Sequence, residues 1–303
     1  MATWLHLLSL TLSKLTPLLL AAMGGLFSEL SGVINFALEG MMLAGAFGAV
    51  WGSHASGSPW MGLAFGATSG MLIAALHALA CLRFQANQIV SSIALNLLVA
   101  GLTGMLLNDV FGVYGTSPAV PPLPKLSPAG HVTGPAVGAG TGVLAGLSIM
   151  VPLALVLSLA VIILFRHTVL GLRIRACGES SLAAEATGLA TARIRFSAIV
   201  TGGALAGMAG AYLAIGELSQ FVENMTHGRG YLAIAALILG RWRPVGVLLA
   251  TSLFGFSEAL SEWLAIGWPQ FPSQLFLVLP YTVCLLVLTS RVGRGQPPSD
   301  LGR

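Results

Sequence analysis

Long apolar runs are the feature of this sequence that most restricts its fold. Residues 144–165 and 275–288 show no regular alternation of apolar and polar side chains, whereas the strands of a membrane barrel alternate over about ten residues. Such runs suit α-helices that cross a bilayer, which need about 20 residues. Only 8% of the 303 residues are charged, against roughly 25% in a soluble domain. The sequence therefore predicts an all-α, polytopic transmembrane helix bundle.

Nine apolar segments divide the chain, and together they predict about eight to ten helices in a single transmembrane domain over 1–303. They lie at about 4–27, 33–52, 60–82, 88–110, 143–165, 196–216, 230–240, 244–263 and 270–290. The seventh is too short to cross alone, so we expect it to be half of a broken helix whose other half lies in 217–229. Non-helical backbone at membrane depth is tolerated only inside protein or beside a water-filled cavity.

The distribution of basic residues predicts the orientation of the chain. With the N-terminus outside, eleven Lys and Arg residues, Arg291, Arg294 and Arg303 among them, fall on inner loops or the C-terminal tail, and two, Lys125 and Arg229, on outer loops. Because cytoplasmic loops carry the excess of Lys and Arg, the C-terminus is predicted to be cytoplasmic. The proline-rich stretch 111–142 cannot form a helix and is predicted to be an external loop. The stretch 166–195 holds seven of the 24 charged residues and is predicted to be cytoplasmic.

The chain lacks the residues that several classes of function require. The chain has no phosphate-binding GxxxxGK[ST] loop, so we expect no cofactor here, and any ATP must be hydrolysed by a partner. Its six His and three Cys residues share no metal-ligand spacing, so no metal site is expected. The net charge of +4 is interpreted as a topology signal and not as a nucleic-acid surface. The polar residues form no nucleophile–base arrangement in the sequence, so we do not expect an enzyme.

Polar residues inside apolar segments are the candidate functional residues, because each is costly in the bilayer unless it faces protein or water. Asn35 and Glu39 are four residues apart, so we expect them to share a helix face. Each such residue either lines a pathway or makes structural hydrogen bonds, and both interpretations stay open for Glu39 and Asn96. Lys14, inside the first segment, either snorkels or pairs with an acid such as Glu29. The candidate pathway residues are Asn35, Glu39, Asn96, Glu223, Asn224 and Arg229.

Small residues recur at spacings that bring helices close together. Gly62, Gly66 and Gly70 form a small-xxx-small pattern, and Gly203 and Gly207 form another; such patterns let helix backbones approach closely. The stretches 21–25 (AAMGG) and 206–210 (AGMAG) are similar. They either mark an internal repeat of two halves or match by chance, because small residues are common in this chain.

The charged stretch 166–195 contains a short candidate helix. Serines that can cap a helix precede good helix formers, and Gly188 follows where the helix would end. This helix either docks into a groove on a soluble subunit or serves only as a connector.

Three stretches of the chain resemble one family of transport proteins. They are 29–42 (ELSGVINFALEGMM), 171–188 (GLRIRACGESSLAAEATG) and 224–238 (NMTHGRGYLAIAALI). In this order they resemble bacterial ABC-importer permeases of the branched-chain amino acid/ribose-type superfamily, in the branch for simple sugars and nucleosides. His227 departs from the resemblance, because a small residue is expected there.

The resemblance implies a permease subunit of an ATP-driven importer in the bacterial cytoplasmic membrane, for nucleosides or simple sugars. The alternatives are a branched-chain amino acid permease, or a self-sufficient carrier that uses Glu39 or Glu258 for ion coupling. It implies as partners cytoplasmic ATP-binding subunits, a second permease that is identical or paralogous, and an extracytoplasmic substrate-binding protein. A large charged residue at Ala184 is expected to block ATPase association. Coupling to the ATPase is expected from Gly178, Glu179, Ala183, Ala184, Glu185 and Gly188.

Overall fold

The computed structural model describes residues 2–126, 146–268, 270–289 and 296–302. The regular structure of these residues is helical, which confirms the predicted all-α bundle. Residues 127–142 of the predicted outer loop, and three arginines of the charge count (291, 294 and 303), lie outside the described residues. The helices are α1 Ala2–Leu30, α2 Leu38–Ser56, α3 Pro59–Leu82, α4 Gln88–Phe111, α5 Met150–His167, α6 Val169–Glu179, α7 Ser181–Ala186, α8 Thr191–Ala211 with a π-helix at Tyr212–Leu218, α9 Arg229–Leu239, α10 Pro244–Gly267, α11 Ser273–Leu277 and α12 Leu279–Thr289.

Six helical spans of the described chain are long and apolar enough to cross a membrane. They are Trp4–Leu30, Pro59–Leu82, Gln88–Phe111, Met150–His167, Thr191–Leu218 and Pro244–Gly267. Each of the nine predicted segments overlaps a helix, and the last is divided between α11 and α12 at Val278. The prediction of a multi-pass membrane bundle is therefore confirmed.

Two helices begin after a non-helical link. Residues 31–37 leave α1 without helical structure, and α2 then starts at Leu38, whose side chain lies against Gly25 in the body of α1. Residues 219–228 follow the π-helix as turns and lead to α9. The expectation of a second half-helix within 217–229 is wrong. Asn224, His227 and Gly228 have positive φ angles, which a right-handed helix excludes.

The two breaks follow the same order of elements. A long helix runs to a non-helical link, and a shorter helix comes next, once in α1–α2 and again in α8–α9. The similar stretches 21–25 and 206–210 lie in the long helices α1 and α8, which pack against each other at Gly24 and Gly202. These matching positions are what an internal repeat of two halves would produce.

Glycines set the close packing of α2, α3 and α8. A Cβ atom added to Gly207 would overlap the carbonyl oxygen of Gly66, and one added to Gly210 would overlap that of Met42. The helix backbones therefore touch, as the glycine spacing predicted.

The described part of the predicted outer loop packs onto the bundle. Residues 113–126 contain no helix, and Val120 and Leu123 are buried. The Leu123 amide donates to the carbonyl of Ile215 at 2.8 Å, and the Ser53 hydroxyl donates to that of Pro121 at 3.0 Å. This loop also pairs with the segment before α9 through a bridge between Thr116 and Val222.

Candidate functional site

One face of α4 holds the non-helical link before α2. The Gln88 side chain accepts from the Ile34 amide at 2.6 Å, and the Ser92 hydroxyl accepts from the Phe36 amide at 3.2 Å. Asn96 accepts from the Gly40 amide at 2.8 Å and donates to the Phe36 carbonyl at 2.9 Å. Residues 88, 92 and 96 are spaced four apart, so they lie on one side of the helix. They supply the partners that this non-helical backbone needs inside a membrane protein.

Asn35 lies within this link and not on α2. Its amide group donates to the Ser28 hydroxyl at 3.0 Å, its carbonyl oxygen accepts from the Ala37 amide at 3.1 Å, and 1% of the residue is exposed. The expectation that Asn35 and Glu39 share a helix face is therefore wrong, because helical backbone begins only at Leu38. Asn35 stabilises the turn that leads into α2.

Glu39 joins the two breaks of the chain. One carboxylate oxygen accepts from the Gly228 amide at 2.8 Å and the other from the Gly230 amide at 2.7 Å. These amides stand at the start of α9, where helix N–H groups lack partners within the helix. A carboxylate there both satisfies them and interacts favourably with the positive end of the helix dipole. A residue of the first half of the chain thus caps a helix of the second half.

The segment 219–228 presents polar groups at the surface of the bundle. Glu223, Asn224 and His227 are exposed. The Glu223 carboxylate accepts from the Gly115 amide at 3.1 Å. The segment is flanked by α4, where Glu223 lies near Gly104, and by α12, where the Tyr281 hydroxyl donates to the His227 carbonyl at 3.2 Å. We call 219–228 the re-entrant segment, and its exposed polar groups mark a face that does not suit lipid.

Asn96 and Arg229 lie beside this face. Asn96 also donates to the hydroxyl of Tyr231 on α9, at 3.0 Å, and 46% of Tyr231 is exposed. Arg229 forms an ion pair with Glu258 on α10, with its Nε atom 3.1 Å from the carboxylate. Arg229 therefore lies between α9 and α10, and its assignment to an outer loop is wrong.

A cavity of about 590 Å³ lies between α1, α9, α10 and α12, and charged groups line it. Lys14 reaches Glu217 at 2.6 Å and Glu262 at 3.0 Å. Of the two expected alternatives for Lys14, pairing with an acid is therefore confirmed, but the acid is not Glu29, which accepts from the indole of Trp242 instead. The Oε2 atom of Glu258 is buried without a hydrogen-bond partner among the described residues. Pairing of opposite charges is how a bundle holds such groups at membrane depth.

The sequence contained a signal for two residues of this site that are not among the candidate pathway residues. Gln88 and Ser92 precede Asn96 at helical spacing in an otherwise apolar segment, and that spacing indicates a polar stripe. The partners of Lys14 carried no such signal, because Glu217 and Glu262 are remote in the chain. Across the described residues, no group of three or more His, Cys, Asp and Glu side chains is arranged to hold a metal ion.

The charged stretch 166–195 contains two whole helices, α6 and the shorter α7, between the end of α5 and the start of α8. The Ser180 hydroxyl accepts from the Ala183 amide at 3.3 Å, and Gly188 ends the turn with φ +84°, as the capping pattern predicted. Gly178 and Glu179 belong to the end of α6. A Cβ on Gly178 would overlap the carbonyl of Leu30.

The exposed side of α7 differs from the expected set. Ala184 is 4% exposed and faces the protein, so a large residue there would disturb packing before it met any partner. Gly178 is buried in the same way. The exposed side chains of α7 are Leu182, Ala183, Glu185 and Ala186.

Arg195, near the start of α8, ties α6 to the link that follows α1. Its Nε donates to the Ser31 carbonyl at 2.9 Å, and its Nη2 donates to the Cys177 carbonyl at 3.0 Å. Burial raises the pKa of the Cys177 thiol above its ordinary value, although the nearby charge of Arg195 works against that rise. The thiol therefore stays protonated at neutral pH.

Comparison with known proteins identifies the family of this chain. The chain belongs to the family described as the permease component of the branched-chain amino acid transport system, whose family model matches residues 7–288. This family consists of transport subunits.

Curated relatives carry the names of transport subunits. The chain is 33% identical to the guanosine ABC transporter permease protein NupQ of Bacillus subtilis, over 96% of this chain and 93% of the relative. It is 32% identical to the nucleoside ABC transporter permease protein NupC of Lactococcus lactis, over 95% and 92%. It is 34% identical to the putative glucose ABC transporter permease protein TsgC13 of Haloferax volcanii, over 84% and 76%. No solved structure matches this chain.

Proposed function

We propose that this chain is the permease subunit of an ATP-driven importer for nucleosides or simple sugars. The observation that carries the proposal is the exposed polar re-entrant segment at the start of α9, in a chain whose relatives are named guanosine, nucleoside and glucose permeases. Helices that begin inside the bundle expose backbone and polar side chains where a solute can be held without lipid contact.

In this proposal the pathway residues have two different roles. Asn35, Glu39 and Asn96 hold the backbone of the two breaks, because their side chains bond to backbone amides or carbonyls. Glu223 and Asn224 face the pathway, because they are exposed on the re-entrant segment. Arg229, paired with Glu258, lines the adjoining cavity.

The motor is a separate subunit that hydrolyses ATP and docks on α7. The exposed Leu182 supplies the apolar contact, since 80% of its surface is exposed, and Ala183, Glu185 and Ala186 surround it. ATP binding would move α7 and shift the permease between outward- and inward-open states. The remaining proposed partners are a second permease, identical or paralogous, and an extracytoplasmic binding protein. The tail residues Ser299 and Asp300 contact the α6–α7 region, which supports a cytoplasmic C-terminus in a bacterial inner membrane.

Uptake tests the substrate. The chain is assembled with its partner permease, ATPase subunits and binding protein in proteoliposomes, and uptake of labelled guanosine, glucose and leucine is measured with ATP. We expect accumulation of guanosine or glucose and not leucine, and none when the ATPase subunit cannot hydrolyse ATP. Uptake that persists without the ATPase would favour the self-sufficient carrier.

Docking is tested with matched leucine variants. Leu182→Glu is expected to prevent co-purification of the ATPase subunit, because it places a charge in the proposed apolar contact. Leu170→Glu makes the same change on α6, where 60% of the side chain is exposed, and should leave co-purification intact. Equal co-purification with both variants would contradict docking on α7.

Thiol labelling tests the pathway face. Asn224→Cys, with the three native cysteines replaced, should react with a membrane-impermeant thiosulfonate reagent, because a pathway contains water. Leu97→Cys is the control, since 71% of Leu97 is exposed on a face that we assign to lipid. Reaction of both, or of neither, would contradict the assignment.

A further inference from the structure

The cavity between α1, α9, α10 and α12 has a size that suits a small solute. Its volume is about 590 Å³, and binding sites for small molecules commonly occupy roughly 300–1,000 Å³. His227 of the re-entrant segment, Glu262 of α10 and Tyr281 of α12 all line it. The cavity therefore adjoins the face that we assign to the pathway.

Among the described residues around this cavity, acids outnumber bases. The two cations are Lys14 and Arg229, and the three carboxylates bonded to them are those of Glu217, Glu258 and Glu262. Both cations are thus paired with acids of the protein itself, and these ion pairs leave one negative charge in excess. An anionic solute such as a nucleotide is repelled by that charge, whereas a neutral solute is not.

The cavity also offers a hydrogen-bond acceptor that the protein uses only in part. Lys14 bonds to the Oε2 atom of Glu262 at 3.0 Å, and 43% of the Glu262 side chain is exposed. The second oxygen of this carboxylate, Oε1, can therefore accept an N–H or O–H group from a bound molecule. Hydrogen bonds to an ionised acceptor are roughly twice as strong as those between neutral groups, so this oxygen favours a solute that carries donors.

Two side chains with flat rings line the same cavity. His227 is exposed, and 47% of Tyr281 is exposed. The two residues are neighbours, because the Tyr281 hydroxyl donates to the His227 carbonyl at 3.2 Å. Flat rings contact each other favourably, and proteins hold nucleobases between such side chains. A small residue was expected at position 227, so the imidazole ring distinguishes this chain from that expectation.

We infer that this cavity binds a neutral nucleoside, whose base contacts His227 and Tyr281 and whose N–H or O–H groups donate to Glu262. The inference rests on the proposed function. It selects nucleosides over simple sugars, because a simple sugar supplies hydrogen-bond donors but no aromatic ring. It excludes nucleotides, because their phosphate would meet the excess negative charge.

Photolabelling of the assembled importer tests this site directly and needs no ATP. The probe is 8-azidoguanosine, and its adducts are located by mass spectrometry of the permease peptides. We expect adducts on the peptides that contain His227 or Tyr281. Excess guanosine should suppress these adducts, and equal concentrations of glucose or guanosine 5′-monophosphate should not.

Two variants with matched controls connect the adducts to the cavity. Glu262→Gln removes the charge of the acceptor and should lower labelling of the Tyr281 peptide about ten-fold. His227→Ala removes a ring that contacts the base and should lower that labelling by about the same factor. Asp109→Asn and His6→Ala make the same kinds of change at exposed positions outside the cavity lining, and both should label like the wild type.

A cavity-filling variant keeps the test decisive if Glu262→Gln does not assemble because its pairing with Lys14 is weakened. Ala265 lines the cavity, so Ala265→Phe occupies part of the volume without changing any charge. Labelling should be lost in this variant. Ala265→Ser adds little volume and should retain labelling. Undiminished labelling in Ala265→Phe overturns the inference.

Failure of the inference and failure of the proposed function give different results. The inference is overturned if adducts are absent from both peptides, if glucose or guanosine 5′-monophosphate suppresses them as well as guanosine does, or if Glu262→Gln and His227→Ala label like the wild type. ATP-driven uptake of glucose without guanosine also overturns it, although the proposed function then stands. Specific labelling in an importer that accumulates neither solute contradicts the proposed function and leaves the binding site in place.

Discussion

The cap that Glu39 places on α9 gives a prediction with a definite magnitude. Glu39→Ala removes the acceptor of two backbone amides, those of Gly228 and Gly230. A hydrogen bond to a charged group contributes about 1.5–3 kcal/mol, so the two together contribute roughly 3–6 kcal/mol. Glu39 is only partly buried, so water can replace part of the lost hydrogen bonding. We therefore expect a loss at the lower end of this range, about 3 kcal/mol.

Hydrogen exchange measures this loss locally. If the amides at the start of α9 exchange through local opening, about 3 kcal/mol corresponds to roughly 100-fold faster exchange, since 1.4 kcal/mol is tenfold. The readout is mass spectrometry of peptides that cover residues 226–232 in detergent-purified protein. Protection of α8 should not change, because its hydrogen bonds do not involve Glu39.

Glu223→Ala is the matched control for this experiment. It removes an acid five residues before Gly228 whose carboxylate bonds to Gly115 instead, so exchange at 228–230 should stay within about three-fold of wild type. The reasoning would be refuted if Glu39→Ala also stayed within that range in protein that was otherwise folded. In that case the cap would contribute nothing to the stability of the α9 start.

Three further outcomes are expected. Gly210→Val should lower the melting temperature in detergent, because its side chain would overlap the Met42 carbonyl, whereas Gly101→Ala, which faces open space, should stabilise by about 0.5–1 kcal/mol; equal effects would contradict glycine-mediated packing. Arg229→Ala should destabilise the protein by about 3 kcal/mol, since it leaves a partly buried carboxylate unpaired, and the double variant Arg229→Ala/Glu258→Ala should recover part of that loss in the same melting assay. Cys177 should resist maleimide at pH 7.5 until the protein unfolds, because its raised pKa means that thiolate forms only at higher pH than for an ordinary thiol; labelling as fast as that of Leu182→Cys would show this to be wrong.

The helices were predictable from local sequence, and the breaks were only partly so. Apolar length located every spanning segment, and glycine spacing located the close contacts of α2, α3 and α8. Residues 31–37 were not predicted to be non-helical, because their apolar side chains suit a helix. Their backbone bonds instead to Gln88, Ser92 and Asn96 of α4. The sequence likewise did not predict which side of α7 is exposed, because Ala183 and Ala184 have the same side chain and only packing distinguishes them.

Local chemistry by itself determined that this chain is a helical membrane protein with a capped helix in a charged stretch, because bilayer thickness and hydrogen-bond capping act over neighbouring residues. Only the tertiary structure decided which polar groups meet. Glu39 reaches α9 across 189 residues of chain, Lys14 reaches Glu217 across 203, and Ser181 reaches Asp300 across 119. Such pairings depend on how the helices pack. The neighbouring sequence does not determine which of several acids, amides or hydroxyls a given side chain will contact.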